Sequence, residues 1–282
     1  MAITTPAGTG RIVLVMGVVN VTPDSFSDGG EFATAEAAIA HGRALRADGA
    51  DILDIGGEAT NPRAEPVSAD VELARVLPVI AALAGEGGAK ISIDTTKASV
   101  ARAAVAAGAT IVNDVSAGLF DPDMGRTMAE LVGGGVTYIA GHLRGTTLAE
   151  VFASEGTIGW RRVAAELADR LASLPETVRA NSWVDPGIGF GKGSDPEGNL
   201  ELLRHAGDIG RELGVPVVVG PSRKRFLRRL LGPLGPGRDA DPLALDVASV
   251  AACLGAVRNG ALVVRAHNVA LLRAALAVYT KI

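Results

Sequence analysis

Eight short β-rich runs alternate with eight Ala-rich helical patterns along the whole chain, and few folds accept that order. The sequence predicts strands at 12–19, 52–55, 90–93, 110–113, 136–140, 182–184, 216–219 and 262–264. It predicts helices at 35–47, 69–84, 97–107, 123–131, 160–174, 199–213, 244–259 and 270–279. Apolar residues recur at helical spacing, as in Val100, Ala103, Ala104 and Ala107. Gly49, Gly108, Gly214 and Gly260 each stand where a helix stops before a strand. Strand followed by helix, eight times in 282 residues, implies an α/β chain closed as a single (β/α)8 TIM barrel. A doubly wound open sheet would carry a Gly-rich fingerprint after strand one, where this chain has NVTPDSFSDGG. No Pro/Gly/Ser linker divides the chain. One domain over 1–282, with its core at about 12–279, is expected, and the Gly/Pro-rich stretch 232–242 reads as a loop within the seventh unit.

Hydrophobic residues make up 48% of the chain but aromatics only 4%, a composition suited to small and branched side chains packed under helices. The formal net charge of −4 gives no electrostatic footprint for nucleic acid. The lone cysteine, Cys253, can form no internal disulfide; it lies in an apolar helical run and reads as core packing. The N-terminal residues lack the pattern of a signal peptide, and no apolar run approaches the ~20 residues that span a bilayer. A cytoplasmic protein without membrane partners is the expectation.

In a barrel of this class the chemistry gathers where strands end. Here nearly every predicted strand ends in a polar residue: Asn20, Asp54 with Glu58 and Thr60, Asp94, Asn113 with Asp114, His142, Asp185, then Ser222, Arg223 and Lys224, and last Arg265, His267 and Asn268. Asp114 is read as a turn or helix cap, and Asp54 and Glu58 as structural hydrogen-bonding or loop-anchoring groups. Caps alone do not account for carboxylates, carboxamides, a lysine, an arginine and a histidine around one rim. Both signs of charge suit a substrate with a polar heterocycle and an anion. DPGIGFGKG offers a tight loop or a close approach to a ligand, without the spacing of a phosphate-binding P-loop. The four histidines are scattered, with no Cys/His spacing for zinc and no nucleophile elbow.

Seven motifs follow one another, one per strand end: MGVVNVTPDSFSDGG (16–30), DILDIGGEAT (51–60), SIDT (92–95), VNDVSAG (112–118), DPGIGFGK (185–192), GPSRKRFL (220–227) and VRAHNV (264–269). Together they resemble the dihydropteroate synthase family over essentially the whole chain. The resemblance implies condensation of a dihydropterin methyl diphosphate with p-aminobenzoate, with Mg2+, giving 7,8-dihydropteroate and pyrophosphate in folate synthesis. It also implies inhibition by sulfonamides, which mimic p-aminobenzoate, and a homodimer. Carried onto this sequence, Asp94, Asn113, Asp185, Thr60 and Lys224 would hold the pterin. Phe190 would pack on its ring or serve as a loop-packing aromatic. Asn20, Arg265 and His267 would take the pyrophosphate, with Asn20 the metal contact. Thr60, Arg63, Pro23, Phe26 and Ser222 would frame p-aminobenzoate. Asp94, Lys224, Arg265 and His267 are the expected catalytic set.

Three departures from the family pattern stand out. Asn61, Pro62 and Arg63 replace Arg-Pro-Gly after Thr60, which leaves the p-aminobenzoate contacts of that loop open. Gly141 replaces a common Met and predicts a looser pterin pocket. Asn268 replaces the usual Asp. Two rivals share the barrel: a pterin-binding methyltransferase domain, disfavoured by the SRK and TPDSFSDGG segments and by the lack of a visible corrinoid-binding segment, and a non-catalytic pterin-binding paralogue, which the altered second loop supports and the retained Asn20, Asp94, Lys224, Arg265 and His267 oppose.

Overall fold

A computed structural model of the chain describes residues 13–22, 35–60, 65–153, 156–192, 195–232 and 241–282. Among them are eight strands, β1 (Leu14–Asn20), β2 (Ile52–Gly56), β3 (Lys90–Asp94), β4 (Ile111–Asp114), β5 (Thr137–Gly141), β6 (Ser182–Asp185), β7 (Val218–Val219) and β8 (Val263–Ala266). All pair in parallel in the order β6-β5-β4-β3-β2-β1-β8-β7. A bridge between Val184 and Val217, with Val184 N–H donating to the Pro216 carbonyl at 2.9 Å, brings β6 to β7 and closes the ring. The predicted barrel is thus present. Every predicted strand forms, and most run one or two residues further than expected. Their polar last residues stay in the ladder, as Asn20 opposite Gly56 and Gly141 opposite Asp185 show.

The helices are α1 (Ala35–Ala47), α2 (Ala69–Glu86), α3 (Ala98–Ala106), α4 (Met124–Leu131), α5 (Leu148–Ala153), α6 (Trp160–Ser173), α7 (Glu176–Ala180), α8 (Pro196–Arg204), α9 (Ala206–Leu213), α10 (Arg225–Leu231), α11 (Pro242–Arg258) and α12 (Val269–Tyr279). Side-chain caps fix several starts: Ser68 for α2, Asp195 before Pro196 for α8, Asp241 before Pro242 for α11, and Asn268 for α12. The expected helix at 199–213 is instead two. The chain breaks at His205, because Gly207 N–H leaves the helix ladder and donates to the Asn259 carbonyl at 2.7 Å. The stop glycines at 49, 108, 214 and 260 all take positive φ.

Strand periodicity divides the side chains into two cores. Residues pointing outward, such as Val15, Val19, Leu53, Ile93, Val112, Val184 and Val264, pack under the helices. The inward set begins as an apolar plug of Met16, Ile52, Ile111, Ile139, Trp183, Val218 and Val263. Two residues further along, the same inward parity carries Val18, Asp54, Asn113, Gly141, Asp185, Arg265 and, just past β7, Gly220, and on β3 Asp94 reaches the same level. The barrel is therefore floored with hydrocarbon and lined with polar groups towards the C-terminal strand ends, where the site lies.

Candidate active site

A cavity of about 380 Å3 opens at that end of the barrel. Asn20 of β1, Asp94 of β3, Asn113 of β4, Asp185 of β6 and Arg265 of β8 line it, as do Thr60, Phe190, Ser222, Lys224 and His267 from the loops that follow strands. These are all the predicted site residues within the described part of the chain. Pro23, Phe26 and Arg63, together with Asn61 and Pro62, lie outside the described residues.

Arg265 organises the floor. Its Nε donates to Asp54 Oδ2 at 2.6 Å and its Nη2 to Asp94 Oδ2 at 2.9 Å. Asn113 Nδ2 donates to the same Asp54 oxygen at 3.1 Å. Asp54, fully buried, thus orients both an arginine and a carboxamide that face the cavity, and the structural role read for it holds. Asp94 is pushed up to about 7, first by burial and then by the Asp54 charge, against the pull of Arg265 and Lys224. Asp185 accepts Gly187 N–H at 2.7 Å, and burial raises its carboxyl as well. Lys224 is pushed down to about 8, by burial first and then by Arg265. Its Nζ sits 3.9 Å from the centroid of the Phe190 ring, which also packs 5.9 Å from Phe152. Phe190 therefore lines the cavity while its ring packs against Phe152 of α5.

His267 is pushed down to about 3 by burial and by Arg265, Arg223 and Lys224, so it is neutral at neutral pH. Ser222 Oγ accepts His267 N–H at 3.2 Å and lies 3.0 Å from Nδ1. With Oγ donating to Nδ1, the ring proton is assigned to Nε2, leaving His267 a neutral donor. Ser222, expected to frame p-aminobenzoate, lines the cavity and is bonded to His267 there.

The anchoring roles read from the sequence are present. Asp114 accepts Ser116 N–H and Oγ–H on one oxygen and Gly118 N–H and Tyr138 O–H on the other. Glu58 accepts Val67 N–H at 2.8 Å and Lys97 Nζ at 2.8 Å, tying down the second loop beyond residues 61–64. His142 is buried outside the cavity lining, its Nδ1 2.9 Å from Lys192 Nζ and its Nε2 2.9 Å from Glu166. The looser pocket expected at Gly141 is not what forms. A Cβ there would stand 2.5 Å from Val115 Cα, so the chain after β4 occupies that space and Val115 lines the cavity itself. Arg223 also lines the cavity, a role not drawn from its place in the SRK segment although the segment itself pointed there.

The sequence profile of a family described as pterin binding enzyme matches residues 16–267. A dihydropteroate synthase of Mycobacterium leprae is 42% identical over 264 residues, 91% of this chain and 89% of that one. The Xanthomonas albilineans dihydropteroate synthase solved with 4-aminobenzoic acid is 40% identical, superposes with a TM-score of 0.83, and is matched over 96% of this chain and 93% of its own. The same organism's enzyme in complex with 7,8-dihydropteroate is also 40% identical, with a TM-score of 0.79 over 97% of this chain and 94% of that one. Family profile, relatives and barrel agree with the cavity's residues, and the chain belongs to the pterin-binding enzyme family, among the dihydropteroate synthases.

Proposed function

We propose that this chain joins (7,8-dihydropterin-6-yl)methyl diphosphate to p-aminobenzoate, releasing pyrophosphate and 7,8-dihydropteroate. One observation carries the reading. A single cavity sets Asp94, Asn113 and Asp185, complementary to the donor and acceptor edge of a pterin, beside Arg265 and His267, complementary to a diphosphate, with Lys224 at the same mouth. In the reaction the exocyclic carbon–oxygen bond breaks and its electron pair leaves with pyrophosphate. The arylamine lone pair then forms the carbon–nitrogen bond, and the amine proton passes to water or pyrophosphate. Ionised Asp94 stabilises positive charge developing on the pterin methylene. The Arg265 fork, held by two carboxylates, keeps donors for phosphate oxygens, and His267 adds a neutral N–H. Ser222 keeps that imidazole oriented.

Mg2+ is proposed as the cofactor, with Asn20 its protein contact. Among the described residues no group of three His, Cys, Asp or Glu could hold a metal, and Asn20 offers one carboxamide oxygen at the cavity. That donor set fits an ion that keeps waters and takes substrate oxygens. When bound, the ion neutralises charge on the leaving pyrophosphate. We propose one domain over the chain, a cytoplasmic setting and competition by sulfonamides at the p-aminobenzoate position. Supporting the setting, Cys253 is buried with its thiol pushed up to about 12, and among the described residues no helix is long and apolar enough to cross a membrane. A homodimer is proposed through the face of α8, α10 and α11, where an apolar groove runs between Leu200, Leu203, Leu227, Leu230 and Ala252.

The test is pyrophosphate release by purified protein with the dihydropterin diphosphate and Mg2+, with and without p-aminobenzoate. Release that requires p-aminobenzoate and yields dihydropteroate is expected. Pterin binding without release would replace the synthase by a non-catalytic binding protein.

A further inference from the structure

Between Ser222 and Lys224, both on the cavity, Arg223 takes φ +58°, a left-handed conformation that a side-chain-bearing residue keeps only when its surroundings hold it. Helix α11 does the holding. Arg223 N–H donates to Ser249 Oγ at 2.9 Å, and the guanidinium grips Asp246 with two bonds, Nε to Oδ1 at 2.7 Å and Nη2 to Oδ2 at 3.0 Å. Asp246 is 6% exposed and is not part of the cavity lining. Its Oδ2 also accepts Nδ2 of Asn268 at 3.0 Å, and Asn268 directly follows His267. The Asn268 Oδ1 meanwhile accepts Leu271 N–H at 3.0 Å and caps α12. An amide can donate to Asp246 and accept from Leu271 at once; a carboxylate cannot, which gives Asn268 a reason to depart from the family pattern.

We propose that Asp246 is a positioning residue for the transfer reaction: by gripping the Arg223 guanidinium and the Asn268 amide together, it sets Ser222, Lys224 and His267 relative to one another across the mouth of the barrel. The inference rests on the synthase reading. Its reach is limited to one side of the cavity. Asn113 is oriented by Asp54 and Asp185 by the Gly187 amide, neither of them through α11. Loss of Asp246 therefore loosens His267 and Ser222, which serve the leaving pyrophosphate and the second substrate, and of the pterin contacts Lys224, while Asn113 and Asp185 keep their own anchors.

The full chain is tested as wild type, Asp246→Ala, Asp246→Asn, Arg223→Gly and the Asp246→Ala/Arg223→Gly double variant. Glycine suits the left-handed backbone, so Arg223→Gly removes the grip without straining the loop. Asp246→Ala and Arg223→Gly are each expected to lower kcat by about tenfold or more, with binding of the pterin alcohol 6-hydroxymethyl-7,8-dihydropterin changed by less than about threefold. The double variant should lose no more than the worse single variant, within about twofold, because both cut the same link. Lys224 is faced by Arg265 from β8, Asp185 from β6 and Asp94 from β3. Freed to solvent, it should carry the alkaline limb of kcat/KM to higher pH. Asp246→Asn keeps an acceptor for Arg223 and should lose less; if Asp246→Ala does not fold, this variant carries the comparison. Unchanged kcat and an unmoved limb would overturn the proposal. So would equal losses in kcat and pterin-alcohol binding, which mark a general structural role, or losses that multiply in the double variant. A wild type that releases no pyrophosphate in response to p-aminobenzoate overturns the synthase reading and this inference with it.

Discussion

Two titrations meet in the cavity. Asp94 is raised from 3.8 to about 7 and Lys224 lowered from 10.5 to about 8, burial being the largest cause in each. The proposed reaction needs the first ionised and the second cationic, so kcat/KM should follow a bell with its maximum between those values. Lys224→Arg replaces the amine by a group that does not titrate in this range; the alkaline limb should then vanish from the profile, and a limb that stays would assign it to another group. Asp94 also sets a stability term. Between pH 3.8 and about 7 the folded protein holds a proton on Asp94 that the unfolded chain has released, so this group's contribution falls as pH rises through that window. Asp94→Asn is spared that fall. Its Tm relative to wild type should be higher at about pH 8 than at about pH 5, while its turnover collapses; a difference independent of pH would show that Asp94 ionises normally. That the described candidate residues line one cavity was legible in the sequence, because polar residues of both signs gathered at successive strand ends and fell within the family's motifs, although Asp54, Glu58 and Asp114 at the same ends are anchors. The partners of the candidate residues were not. Asp54 meets Arg265 across 211 positions of chain, and Arg223 meets Asp246 on a helix that the motifs do not include.

The loop between β6 and α8 shows how an element holds such residues. Asp185 takes Gly187 N–H, Asn199 takes Gly189 N–H at 2.7 Å, and Lys192, 1% exposed, donates to the Phe190 carbonyl at 2.9 Å. Gly187 has φ +72°, and a Cβ there would fall 1.8 Å from the His142 carbonyl oxygen. Gly187→Ala is expected to destabilise by roughly 3 kcal/mol and to weaken pterin binding, since the loop must move to admit the methyl group and Asp185 and Phe190 move with it. Urea unfolding and pterin titration measure both; a loss under about 0.5 kcal/mol would mean that the loop yields without effect. The long helices and all eight strands were readable from period and glycine stops. Short α5, α7 and α10 were not, because so few turns give little periodicity to read. The break at His205 was hidden as well, since it answers to the end of α11 rather than to local sequence.

At the scale of the whole molecule, eight alternating units in 282 residues, without a dinucleotide-binding fingerprint after strand one, pointed to the barrel, and inward strand parity placed the polar set over the apolar plug. What alternation does not specify is the outside. Helix α11 is apolar on nearly every side, and Leu230, Leu231, Leu243 and Val247 stay 52%, 36%, 62% and 53% exposed on α10 and α11. A helix in a barrel's outer ring needs one apolar stripe, so apolar residues on its other sides imply a second surface to bury them. In the proposed homodimer that surface is the same face of a second copy, an arrangement in which one groove serves both partners. The particle should then have twice the 28.6 kDa of the chain. Leu230→Glu with Ala251→Glu places carboxylates in the groove, where pairing would bury them opposite their symmetry mates, and light scattering should report a monomer. Neither residue lines the cavity, so turnover of the variant should stay within about threefold of wild type. A variant that remains dimeric would move the interface to another face. One that becomes monomeric and loses turnover would instead show that pairing supports α11, and through Asp246 and Ser249 the loop that carries Lys224.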